Sequence, residues 1–125
     1  MTALTTEART TLTTALEATG LRVYTTVPSV PKPPAIVVVP DTPWVRPNRV
    51  GSNLNYEVRW RILVVIQPRQ NAAEVLDTEN AVDAVLAAIP APYLVESVGA
   101  PQYQDVGAQG VVVTTEIAAS VRMKE

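Results

Sequence analysis

Tyr56-Glu-Val-Arg-Trp-Arg-Ile-Leu-Val-Val-Ile66 is the stretch on which the fold turns. In an extended chain, Tyr56, Val58, Trp60, Ile62, Val64 and Ile66 share one face, and Glu57, Arg59, Arg61, Leu63 and Val65 the other. The first half is polar on one face, and the second half is apolar on both. At ~3.4 Å per residue the segment spans about 37 Å, well beyond the usual strand of about five or six residues. Val111 to Val121 repeats the pattern, with Val111, Val113, Thr115, Ile117, Ala119 and Val121 on one face. Two long strands of this kind call for a sheet with one side buried.

Helices supply the covering layer. Asn71, with Glu74 three residues later, makes a capping-box-like start to a helix that runs to Ile89 and is stopped by Pro90 and Pro92. Val75, Val82, Leu86 and Ile89, flanked by Val85, form its apolar stripe, with Asp77, Asn80 and Asp83 opposite. A first helix spans Thr5 to Thr19, with Leu4, Ala8, Leu12, Ala15 and Leu16 on one stripe, Glu7 near its positive end and Gly20 as its stop. Its threonines are poor helix formers, so docking of the stripe must hold it. Leu21 to Thr26 alternates weakly, Val27 to Pro34 is a proline-rich connection, and Ala35 to Val39 is a short β-branched strand. Asp41 to Asn55 reads as a long loop or extended arm around Trp44-Val45. Val95 to Val98 reads as a strand and Gly99 to Gly110 as a turn-rich connection.

The expected order is therefore α-β-β-β-α-β-β. It describes a two-layer α+β domain spanning residues 1–125, with a mainly antiparallel sheet and both helices on one face.

Composition narrows the chemistry. The chain has 125 residues, 47% hydrophobic and 18% charged, with no cysteine and no histidine. Thiolate nucleophiles, Ser-His dyads, disulfide frameworks and imidazole or sulfur zinc sites are excluded. Scattered glycines form no phosphate-cradling loop, and Lys32 and Lys124 are poorly placed for Ser-Lys catalysis. The acidic group Glu74, Asp77, Glu79 and Asp83 fails as a metal site, because Glu74 and Glu79 lie about 140° apart around a helix axis. Neither an enzyme nor a cofactor is expected. A net charge of −2 gives no overall attraction to nucleic acid or anionic lipid. No apolar run approaches a membrane span, and the N-terminus does not read as a signal peptide, so synthesis in the cytoplasm is expected.

Charge is unevenly spread. Asp41 to Gln70 carries Arg46, Arg49, Arg59, Arg61 and Arg69 against Asp41 and Glu57, whereas the following helix is acidic. This two-sidedness suits association in which a basic arm meets a neighbour's acidic helix, with Arg59, Arg61, Asp77, Asp83 and Glu116 as subunit-interface candidates. Cross-strand pairing of Glu57 and Glu116 with Arg59, Arg61 or Arg122 is the ordinary alternative. Trp44, in a proline-rich loop, is the leading contact candidate, with Val45, Arg46 and Arg49 beside it; its alternative is to fold back over the local core. Trp60 is expected in the core or between subunits.

The order of a short first helix, a proline-punctuated arm, the Tyr56–Ile66 strand, the Asn71–Ile89 helix and the closing Val111–Arg122 strand resembles the tail terminator proteins of long-tailed bacteriophages. The Ala/Thr/Val/Pro-rich composition is similar to that of proteins from phages of high-GC actinobacteria. The resemblance implies a hexameric ring in the virion, at the head-proximal end of the tail. Such a ring caps the tail tube, ends its polymerisation and offers the head-joining surface, while DNA passes its channel without specific binding. It implies tail tube and head-completion partners, with the arm residues Trp44, Arg46 and Arg49 touching them. Head-tail adaptor proteins share the same size and texture. A small ligand-binding module of ferredoxin-like type is the main rival from another class, and would show a concave apolar pocket with a few converging polar groups.

Overall fold

The computed structural model describes residues 4–25, 34–50, 53–67, 72–91, 93–105 and 111–124. In chain order these form α1 (Leu4–Glu17), β1 (Arg22–Tyr24), β2 (Ala35–Val50), β3 (Asn53–Ile66), α2 (Ala72–Ala88), β4 (Tyr93–Val98), β5 (Gln102–Asp105) and β6 (Val111–Lys124). The two long strands anticipated from the sequence pair with each other, antiparallel, from Asn55 opposite Lys124 to Ile66 opposite Val113. Around that ladder the sheet runs β1-β2-β3-β6-β4, with β5 also on β6. All pairings are antiparallel except β1 with β2. The fold is a two-layer α+β domain.

Period-two alternation sorts the two faces. Ile36 and Val38 of β2, Val58, Trp60, Ile62, Val64 and Ile66 of β3, and Val113, Ile117, Ala119 and Val121 of β6 form one core with Ala8, Leu12 and Leu16 of α1 and Val85 of α2. Both helices therefore lie on this face. On the reverse face the upper half of the sheet holds a smaller cluster of Ala35, Val37, Val65 and Val112, packed with Tyr24, Val39 and Leu63. This explains why β3 is apolar on both faces only in its second half.

Helix α1 ends as expected. Gly20 takes φ +82°, and Thr19 Oγ1 accepts the Leu21 amide at 3.2 Å while donating to the Leu16 carbonyl at 2.7 Å. The other end of α1 is tied to the sheet by the Tyr93 hydroxyl, which donates to the Ala8 carbonyl. On α2, Val85 is buried with Val82, Leu86 and Ile89 packed beside it, and buried Thr78 joins this side. Asn80 and Asp83 are exposed, as the stripe implies, whereas Asp77 is half-buried; Asp77 and Asn80 also border a hollow between α2 and the end of α1. The cap at Asn71 and most of the 27–34 connection lie outside the described residues.

Two irregular regions are strands instead. The described residues of Asp41–Asn55 are strand and not loop or free arm: β2 continues to Val50 and pairs with β3 from Asn53. Its prolines are tolerated because β1 covers only Ala35–Val37, leaving the rest of β2 outermost among the described residues, where a missing N–H need break no ladder bond. Register slips between Pro40 and Val45, and the Thr42–Pro43 peptide is cis. Within the 99–110 connection, Gln102–Asp105 forms β5 against Val111–Thr114. Alternation over four residues was too short to announce it.

Burial pushes the Tyr93 phenol up to about 12. A native value above the unfolded one, near 10, means that its contribution is complete below pH 10 and is lost as pH rises through 12. Urea unfolding should show stability falling across pH 10 to 12, and Tyr93→Phe should flatten that fall while costing about 1 kcal/mol near neutrality. An unchanged slope in the variant would assign the fall to other groups.

Candidate interaction surface

The three long strands run past β1 and β4 as a tongue made of residues 46–50, 53–57 and 122–124. At its root the two faces of β3 carry different chemistry, because adjacent residues Arg59 and Trp60 point to opposite sides.

On the helix face, Trp60 is 2% exposed and meets Trp44 edge-to-face, with ring centroids 5.9 Å apart and planes at 70°. The bulge of Asp41–Trp44 brings Trp44 over Trp60, so Trp44 covers the local core while remaining 42% exposed. The Trp60 Nε1 is buried with no acceptor among the described residues.

On the reverse face, Arg59 binds carboxylates from three strands. Its Nη2 lies 2.9 Å from Glu96 of β4 and 3.4 Å from Asp41 of β2, its Nε is 3.8 Å from Glu57 of β3, and Nη1 donates to the Thr42 carbonyl at 3.4 Å. The Arg59 side chain is only 15% exposed. Hydrogen bonding to Glu96, reinforced by all three carboxylates, holds the guanidinium more firmly protonated than usual. Glu96 is held below the ordinary carboxylate range, first by its hydrogen bond to Arg59, then by the charge of Arg59, by Ser120 and by the more distant Arg46, against an opposing effect of burial. One arginine thus fastens β2, β3 and β4 together across the sheet.

The other candidates are dispersed. Arg61 pairs with Glu116 on the neighbouring strand, and both are well exposed. Arg46 is exposed, Val45 is half-buried, and Arg49 continues the tongue with its side chain outside the described residues. Asp83 is exposed on α2, and Asp77 lies at the hollow. The structure therefore brings Trp44 together with Trp60, and Arg46 into the field of the Arg59 group, but it does not gather Asp77 or Asp83 to either. Glu96, the principal partner of Arg59, escaped the sequence reading; among Leu94, Val95, Ser97 and Val98 it resembles any polar residue of an edge strand. A register shift between Val95 and Ser97 makes it the extra residue of a bulge.

The hollow encloses about 450 Å³ between Thr19 and Leu21 after α1, Ile66 at the end of β3, and Asp77, Asn80 and Ala81 of α2. Among the described residues no group of three or more acidic side chains converges as a metal site would. No described helix is long and apolar enough to cross a membrane. No protein-family model matches the chain, and no curated protein matches it.

Arg59→Gln should destabilise by about 1–2 kcal/mol at pH 7, since it leaves carboxylates crowded without their cation. The depressed Glu96 titration places this contribution above the ordinary carboxylate value of 4.5, and it is lost as pH falls through the lower native value. Denaturation at pH 7 and pH 3 should show the deficit shrinking in acid, whereas Arg61→Gln, at an exposed pair, should change stability by less than about 1 kcal/mol at either. Trp44→Ala should lose about 1–3 kcal/mol in urea unfolding because it uncovers Trp60; a wild-type midpoint would mean that Trp44 contributes no cover.

Proposed function

We propose that this chain is a non-enzymatic virion structural protein of the tail-terminator kind, which forms a ring on the tail tube, ends its polymerisation and presents the surface to which the head joins. The observation that carries this reading is the division of the sheet into lateral and axial parts. The outer sides of β1 and β4 have no strand beside them among the described residues and face opposite ways, as lateral contacts between ring neighbours require. The tongue projects along the strand direction, where an axial partner would sit, with exposed Arg46 and Arg122 on it and half-exposed Trp44 at its root. On this reading the partners are further copies of the chain, expected as a hexamer, the tail tube and a head-completion protein. DNA passes the channel without specific binding. The protein is made in the host cytoplasm and ends at the head-proximal end of the tail. A head-tail adaptor would use the same division.

The hollow beside α2 favours a second reading, a module for a small, largely apolar ligand oriented by Asp77, Asn80 and Thr19. The two readings part on solution mass. Light scattering over a range of concentration should give a hexamer, or a monomer that converts to one as concentration rises, and Arg46→Glu should leave that ring intact while weakening capping of tail tubes about tenfold. A monomer throughout would sink the ring and direct attention to the hollow.

A further inference from the structure

The outer side of β2 beyond β1 is interrupted by Pro40, Pro43 and Pro47, the usual protection of an exposed edge. β4 carries a bulge at Glu96 but lacks prolines. Leu94 is 65% exposed, Val95 and Val98 are also exposed, and the strand contains no proline or cation. Its single charge, Glu96, turns to the reverse face toward Arg59. β1, at the opposite side of the sheet, is likewise unpaired on its outer side among the described residues.

These two edges match each other. In β1, Arg22 and Tyr24 stand in register with Ala35 and Val37 on the reverse face, and Val23 stands with Ile36 on the helix face. In β4, Leu94 opposes Ser120 on the reverse face, while Val95 and Val98 oppose Ala119 and Ile117 on the helix face. The pairings through β2, β3 and β6 make β1 and β4 antiparallel to each other. A rotation that preserves strand direction therefore sets β1 of one copy antiparallel to β4 of the next, with helix face continuous with helix face. Apolar Val23 then meets the Val95 side. On the reverse face, exposed Arg22, which makes no ion pair among the described residues, approaches Glu96, the one charge of β4.

We propose that β1 of each copy adds to β4 of its neighbour, so that one sheet continues from subunit to subunit. The proposal rests on the ring reading and specifies its lateral contact. Each copy uses both edges, so the contact is heterologous and is satisfied everywhere only when the ring closes. β1 lies level with residues 114–116 of β6 and β4 with residues 117–121, so the strands cross the ring axis obliquely.

The chain lacks cysteine, which makes disulfide trapping clean. Val23→Cys and Val95→Cys are prepared singly, mixed at concentrations where light scattering shows the oligomer, and oxidised mildly. Tyr24→Cys with Leu94→Cys repeats the test on the other face, so one poorly tolerated substitution does not decide it. The mixtures should give covalent dimers that neither single variant gives alone. Arg22→Glu, an exposed change, should weaken assembly about tenfold at low salt and less at high salt. An oligomer in which neither mixture cross-links overturns the strand addition and leaves the ring standing. Cross-linking of Val95→Cys with itself overturns it in favour of paired β4 strands, and a monomer at every concentration overturns the ring and this contact together.

Discussion

The antiparallel ladder between β3 and β6 is the constraint on which everything else in this molecule hangs. Its length, from Asn55–Lys124 to Ile66–Val113, exceeds that of any neighbour except β2, so β1, β4 and β5 each cover only part of it. Because the side-chain period along a strand is two, this ladder also fixes what faces the helices. A slip of one residue would carry Trp60 to the ionic face and Arg59 into the core. Burial of the Val58–Ile66 series against Leu12, Leu16 and Val85 therefore selects the register, and the register in turn places Arg59 within reach of Asp41 and Glu96. Hydrophobic burial positions the polar group here, and the polar group then fastens strands that the core alone touches weakly.

That dependence explains what could be read in the sequence and what could not. Tyr56–Ile66 and Val111–Val121 announced themselves because eleven alternating residues carry a strong period, and α1 because its stripe ends at a glycine suited to positive φ. The Asp41–Asn55 region misled because two prolines, Pro43 and Pro47, argue against a strand in general, whereas they argue only against a central one. Whether β2 is outermost there depends on how far β1 reaches, a tertiary fact. The charge pattern along the chain is incomplete in the same way. Along the chain, residues 41–70 look basic and the next helix acidic, but in space Glu96 crosses from β4 to offset Arg59. Such pairing depends on register and on a bulge, neither of which local composition encodes.

The candidate surface was legible in part for the same reason. Trp44 was conspicuous as a large aromatic among prolines, and its two readings, contact residue and local cover, coexist in one side chain that packs on Trp60 with part of its ring still exposed. Asp77, Asn80 and Asp83 share the outer side of α2 by the wheel drawn from its apolar residues; Asn80 and Asp83 are exposed there, and only Asp77, nearer the stripe, is half-buried at the hollow.

The Trp44–Trp60 pair has an optical consequence. The chain contains two tryptophans, and both sit at the point where β2 bulges over β3. With indole rings 5.9 Å apart and nearly perpendicular, their transitions couple, and one of the rings is sealed from water while the other touches it. The tryptophan emission of this protein, excited at wavelengths where its four tyrosines do not absorb, is therefore a local instrument. It reports the root of the tongue and is largely blind to the far end of the sheet, where the helices close over Ile66.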